Sequence, residues 1–143
     1  GLYASRDAGS AEGKALAERV MSSVGQYVWV ENESDLDVVT AISGSGPAYF
    51  FLFIESLTDA AIALGMNGES ARKLALQTAL GASRLASLSS EDAATLRKNV
   101  TSPGGTTEQA IQAFEAADIR GIVAQATQAA ARRSLELSKE FGA

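Results

Sequence analysis

The sequence predicts a mainly all-α chain: a helical dimerisation domain, preceded by one helix and one strand left from a truncated α/β domain. Three observations predict it. From Ser34 onward, apolar residues recur at helical spacing, in runs opened by Ser, Asn, Thr or Asp. Before that, Gln26-Tyr27-Val28-Trp29-Val30 has the β-branched and aromatic make-up of a strand. The apolar surface of the helices also exceeds what one chain of this length can cover, so a second copy is expected to cover it.

Taken in order, Ser10 to Val24 reads as an amphipathic helix with Leu16, Val20 and Val24 on one face and Glu12, Lys14 and Glu18 elsewhere. Gly25 ends it, and the 26–30 strand follows. One helix and one strand cannot bury a core alone, so residues 1–32 are expected to be the tail of a larger domain that begins upstream of Gly1. Residues 33–143 form the helical domain. Ser34, with Asp37 at capping-box spacing, opens a helix through Leu36, Val39 and Ile42, which Gly44-Ser45-Gly46-Pro47 interrupts. Pro47 suits the first turn of a buried helix reaching Leu64. Asn67 caps a helix from Gly68 to Leu88 with Leu74, Leu76, Leu80 and Leu85 inward, and Ser90 caps a short one ending near Asn99. Asp118 caps the last helix, Ile119 to about Glu140, whose Ala124, Ala126, Ala129, Ala130 and Ala131 permit close helix pairing.

Composition removes several classes of function. The 143 residues carry a net charge of −5, the wrong sign for holding a nucleic-acid backbone. Neither cysteine nor histidine occurs, which excludes thiolate chemistry, Ser-His triads and imidazole metal ligands. Chemistry must therefore come from carboxylates, hydroxyls, lysine, backbone groups or a cofactor. The most apolar segment, Pro47 to Leu64, carries Glu55 and Asp59 within it, which reads as a core helix and not a membrane span.

One stretch is built to hold a ligand: Thr101-Ser102-Pro103-Gly104-Gly105-Thr106-Thr107. Pro103 and the two glycines set a turn, and Thr106 with Gln109 has capping-box spacing into a helix bearing Ile111 and Phe114. Free backbone N–H groups and hydroxyls at a helix N-terminus suit a small anion, a carboxylate or a phosphate. In a dry pocket each such bond contributes about 1.5–3 kcal/mol. Taken alone, the stretch also reads as a Pro-Gly turn joining two helices.

Three other motifs carry less. Gly44-Ser45-Gly46 imitates a dinucleotide fingerprint, but Tyr49 stands where the third glycine belongs and Pro47 lacks an N–H, so a helix break is expected. Glu55 and Asp59 share a helix face, as an acid/base pair or hard-metal ligands would, yet the simpler expectation is a polar stripe met by Arg or Lys from another helix, with Arg84, Arg132 and Arg133 available. Arg97-Lys98 adds positive potential beside the 101–107 loop, with solvated surface charge as the default reading.

The segment Val100-Thr101-Ser102-Pro103-Gly104-Gly105-Thr106-Thr107, followed by Ala110-Ile111, Phe114 and Glu115, resembles the signature of pyrroline-5-carboxylate reductase. Residues 37–49, Leu74-Ala75-Leu76-Gln77-Thr78 and the alanine-rich last helix are similar to that family too. The resemblance implies NADPH- or NADH-dependent reduction of 1-pyrroline-5-carboxylate to L-proline in the cytoplasm, in proline biosynthesis, by a homodimer that can assemble further into a decamer. It implies that residues 1–32 end a Rossmann domain whose cofactor-binding glycines lie upstream, and that the segment by itself is inactive. It assigns the substrate carboxylate to the Ser102 hydroxyl and the N–H groups of Gly105, Thr106 and Thr107. The Thr107 hydroxyl, as the catalytic group, would meet the ring nitrogen. No metal, nucleic acid or membrane is implied. Where the family commonly has Gly-Phe, this chain has Asp118-Ile119 ahead of Arg120. The competing readings are a helical dimerisation module without a ligand and another dehydrogenase of the same two-domain plan.

Overall fold

A computed structural model describes residues 1–5 and 9–141. Among the described residues seven α-helices follow in order: α1 Ala11–Ser22, α2 Asp35–Val39, α3 Gly46–Ala63, α4 Gly68–Leu88, α5 Ala93–Asn99, α6 Thr106–Ala116 and α7 Ile119–Phe141. The chain divides into two compact units, Gly1–Gly46 with Ala124–Ala143, and Pro47–Val123.

In the first unit, Ser10 caps α1 by accepting from the Gly13 N–H at 3.1 Å. The expected strand at 26–30 does not form, and no strand is present among the described residues. Instead the Leu2 N–H donates to the Val28 carbonyl (2.8 Å) and the Val30 N–H to the Leu2 carbonyl (2.9 Å), one isolated parallel bridge between Leu2 and Trp29. β-Rich composition becomes a strand only where a neighbouring chain extends the ladder, and a single bridging residue does not. Trp29 is held through α1: its Nε1–H donates to Glu18 Oε1 at 2.7 Å, and Lys14 Nζ lies 5.5 Å from the ring.

Ser34 does not cap α2. It is itself in helical conformation, and Asp35 Oδ2 accepts from the Asn32 backbone and side-chain N–H groups instead. The expected break at residues 44–47 is a change of pitch. Residues Thr40–Gly44 form a π turn, closed by the Ser45 N–H on the Thr40 carbonyl at 2.8 Å. Because Pro47 has no N–H to continue the α ladder, one extra residue is absorbed just before it. Ala41 and Gly46, at this join, are buried.

In the second unit α3 is apolar around most of its surface, as predicted, but it is not a buried helix in the single chain. Phe50, Phe51 and Leu52 are 63–69% exposed. By length and composition alone, Asp35–Ala63 is long and apolar enough to cross a membrane, although Glu55 and Asp59 lie within it. On α4, Asn67 caps as expected, accepting from the Ser70 N–H at 2.9 Å. The residues that α4 buries are Ala71 and Ala75, while the leucines predicted to face inward, Leu74, Leu76, Leu80 and Leu85, are more than half exposed. Their periodicity marks an apolar face that the chain itself leaves uncovered. Asp92, not Ser90, caps α5, accepting from the Thr95 N–H at 2.7 Å. That bond is the main cause holding the Asp92 carboxyl below its ordinary value.

Candidate functional site

The 101–107 loop leaves α5 through Thr101, whose hydroxyl donates to the Arg97 carbonyl at 2.6 Å and is thereby committed to ending that helix. A turn follows over Ser102–Gly105, with Pro103 second and Gly104 third. The Gly104 φ of +72° and the Gly105 N–H donating to the Ser102 carbonyl at 3.0 Å give the type II pattern. Each glycine has a separate reason. Gly104 is in the left-handed region, whereas a Cβ on Gly105 would stand 3.0 Å from the Ser102 carbonyl oxygen.

Gly105 is the N-cap of α6, in extended conformation and without a side-chain cap, so the Thr106–Gln109 capping box is not formed. Counted from Gly105, the third helical residue is Glu108, and its Oε2 reaches back to accept from the Gly104 N–H at 2.8 Å. Sequence reasoning missed Glu108 because the box was counted one residue late. A count starting at the second glycine would have found it.

Of the residues expected to bind an anion, the loop thus turns the Gly105 N–H into its own turn. The N–H groups of Thr106 and Thr107 have no acceptor among the described residues, as expected of the first positions of a helix. The hydroxyls of Ser102, Thr106 and Thr107 are likewise unpaired there, Ser102 and Thr106 being exposed and Thr107 half-buried. The loop therefore offers two backbone donors and three hydroxyls, with a carboxylate already seated on the neighbouring amide.

Beside the loop, Arg97 does not stand free. Its Nη1 donates to Glu115 Oε1 at 3.1 Å, and Arg120 holds the same carboxylate through Nε and Nη2 at 2.9–3.2 Å. The Arg120 hydrogen bonds, first among the causes, hold the Glu115 carboxyl below its ordinary value, and Glu115 raises Arg120 in turn. Two arginines against one carboxylate leave one positive charge at the edge of an apolar groove lined by Phe53, Ile111, Phe114, Ile119 and Val123. Within it the Phe53 and Phe114 rings lie 6.1 Å apart at 48°.

Glu55 and Asp59 line a shallow groove with Phe51, Ile54, Thr58, Arg72 and Leu76. Arg133 pairs with Glu136 and Glu140 on its own helix, at 2.9 and 3.0 Å.

Residues 33–137 match the family model for pyrroline-5-carboxylate reductase dimerisation, a span that includes the π turn, α3 to α6 and the whole of the loop. The chain belongs to the pyrroline-5-carboxylate reductase family. It is 47% identical over 142 residues to the pyrroline-5-carboxylate reductase of Pseudomonas aeruginosa, an alignment covering 99% of this chain and 52% of that protein. With the Vibrio alginolyticus pyrroline-5-carboxylate reductase it is 48% identical over 129 residues, 90% of this chain and 47% of the relative. The chain thus spans about half the length of the curated relatives that it matches. Among solved structures, the pyrroline-5-carboxylate reductase of Coxiella burnetii superposes with a TM-score of 0.90 at 44% identity, over 94% of this chain and 50% of that one. The Plasmodium falciparum pyrroline carboxylate reductase, solved with NADP bound, gives a TM-score of 0.78 at 35% identity over 87% of this chain and 47% of that one.

Proposed function

We propose that this chain is the helical, substrate-binding and dimer-forming part of an enzyme that reduces 1-pyrroline-5-carboxylate to L-proline, in proline biosynthesis in the cytoplasm. The reading is carried by the loop. The free N–H groups of Thr106 and Thr107 and the Ser102 hydroxyl grip the substrate carboxylate, at the positive end of α6. Gly105 serves by having no side chain, which lets the turn close on the Ser102 carbonyl that engages its N–H. The Thr107 hydroxyl lies one residue further along and hydrogen-bonds the ring nitrogen, which gains a proton as the adjacent carbon gains a hydride.

A bound nicotinamide, NADPH or NADH, supplies that hydride. Among the described residues nothing cradles its pyrophosphate: the Ser45 N–H inside Gly44-Ser45-Gly46 belongs to the π turn. We assign the nucleotide site to a part of the enzyme outside this chain, which spans about half the length of its relatives, with residues 1–32 as the tail of that domain and residues 33–143 as the helical domain. What this chain contributes is orientation, worth much of a hydride-transfer barrier when donor and imine are held together. Its exposed apolar helices support a homodimer, with higher assembly such as a decamer built upon it.

The test is a titration of the folded dimer with L-proline, following the Thr106 and Thr107 amide resonances. Both are expected to shift, and Ser102→Ala to weaken the binding about tenfold. An unmoved pair of amides would remove the site. In the full-length enzyme Thr107→Val is expected to lower kcat more than it raises KM, and this chain by itself to give no turnover. Reduction by the isolated chain would overturn the division of labour. If the protein were only a helical dimerisation module, proline would leave every loop amide unchanged.

A further inference from the structure

We infer that Glu108 is a positioning residue for the substrate-carboxylate loop, acting through the reach of its side chain to the Gly104 amide. The inference rests on the loop's role proposed above and goes beyond it, because Glu108 touches neither the substrate carboxylate nor the ring in that reading.

Gly104 is the one residue of the loop with positive φ, and a Cβ built there would meet nothing within 4 Å. A glycine brings no side chain to hold this conformation, so hydrogen bonds matter most there. Two are available, and they flank it: Gly105 N–H to the Ser102 carbonyl inside the turn, and Gly104 N–H to Glu108 Oε2 from the first turn of α6. The second bond ties the tip of the turn to the helix that carries Thr106 and Thr107. It also keeps a half-buried carboxylate on Gly104, where it does not compete for the free amides of those two threonines. Without that bond the loop gains conformational freedom that binding must remove, and the cost appears in KM.

Reach and charge separate cleanly by substitution. Glu108→Gln keeps the length and an acceptor oxygen but removes the charge. Glu108→Asp keeps the charge at the helix end but is one methylene short, and Glu108→Ala removes both. In the full-length enzyme, Glu108→Asp and Glu108→Ala are expected to raise KM for 1-pyrroline-5-carboxylate about 5–10-fold with kcat within about twofold, while Glu108→Gln stays near the parent. The Gly104 amide resonance should move in the Asp and Ala variants and hold in the Gln variant, a readout that needs no catalysis and no ligand. An unchanged or lowered KM in Glu108→Ala, or a Gln variant as impaired as the Ala variant, would overturn the inference. Failure of the parent enzyme to bind proline at the loop would instead overturn the loop's assignment, whatever the Gly104 resonance does.

Discussion

Ser134 Oγ donates to Asp37 Oδ1 at 2.7 Å, joining residues 97 positions apart in a part-buried hydrogen bond. The bond fastens α7 to α2, directly before the π turn that precedes Pro47. Ser134→Ala is expected to lower stability by about 1 kcal/mol, read as a lower denaturant midpoint with an unchanged slope. Asp37→Leu should cost at least as much, since it leaves the serine hydroxyl without its acceptor. A midpoint equal to the parent's in both variants would show that the bond contributes nothing.

Phe51 is 69% exposed on α3 and borders the groove that Glu55 and Asp59 line. A charge placed there cannot be covered by an apolar surface without a large desolvation penalty. In the proposed homodimer, Phe51→Asp should give a species of half the parent's mass in sedimentation, with loss of helical signal as the helices lose their cover. A variant that sediments as the parent does would place the interface elsewhere.

Asp118 sits between α6 and α7 with φ +54°, and its Oδ1 accepts from the Gly121 N–H at 3.1 Å. It meets two demands: a left-handed turn out of one helix, and a cap for the next. Asp118→Ala loses the cap and keeps the strain, costing about 1–2 kcal/mol. Asp118→Gly loses the cap but relieves the backbone, so its midpoint should lie above that of the Ala variant. Gly121→Ala should also destabilise, because an added Cβ would collide with the Asp118 carboxylate.

The Glu115 carboxyl is held low chiefly by hydrogen bonds from Arg120, with Arg97 adding to them. For a depressed carboxyl the favourable contribution is complete above the ordinary glutamate value, about 4.3, and disappears as pH falls through the lower folded value. Arg120→Ala should therefore raise the Glu115 titration midpoint, measured by carbon NMR, though not fully, since Arg97 remains. The cluster is exposed, so its effect on stability should be small and should fade with added salt. A Glu115 midpoint indifferent to Arg120 would contradict the arrangement.

Much of this fold is legible in the sequence, for identifiable reasons. The long helices announce themselves by period, and Asn67, Ser10 and Asp118 cap where short polar side chains should. The Pro-Gly-Gly turn is readable because few conformations accept those residues in succession. Caps chosen among neighbouring candidates were less secure. Asp92 takes the place expected for Ser90, and Asp35 works from inside the helix that Ser34 was to open. The 26–30 segment shows the limit of β composition, which states what a strand could be made of and not whether a ladder exists to receive it. Leu74, Leu76, Leu80 and Leu85 show a similar limit. Periodicity identifies an apolar face, but which molecule covers it is not written in the period. Glu108 escaped because its role depends on where the helix begins, and a shift of one residue changes which side chain can reach back.

Ala41, Ala71 and Ala75 are the only hydrophobic residues buried among those described, and no large side chain is fully enclosed. Three methyl groups cannot offset the entropy of ordering helices of this length. In the proposed homodimer, folding and assembly are then a single event, and thermal resistance becomes a property of how much protein is present: diluting the sample should lower its melting temperature. In the proposed homodimer the same arithmetic extends to a cell that makes two versions of the chain, where one defective copy would drag down the sound copy with which it is paired.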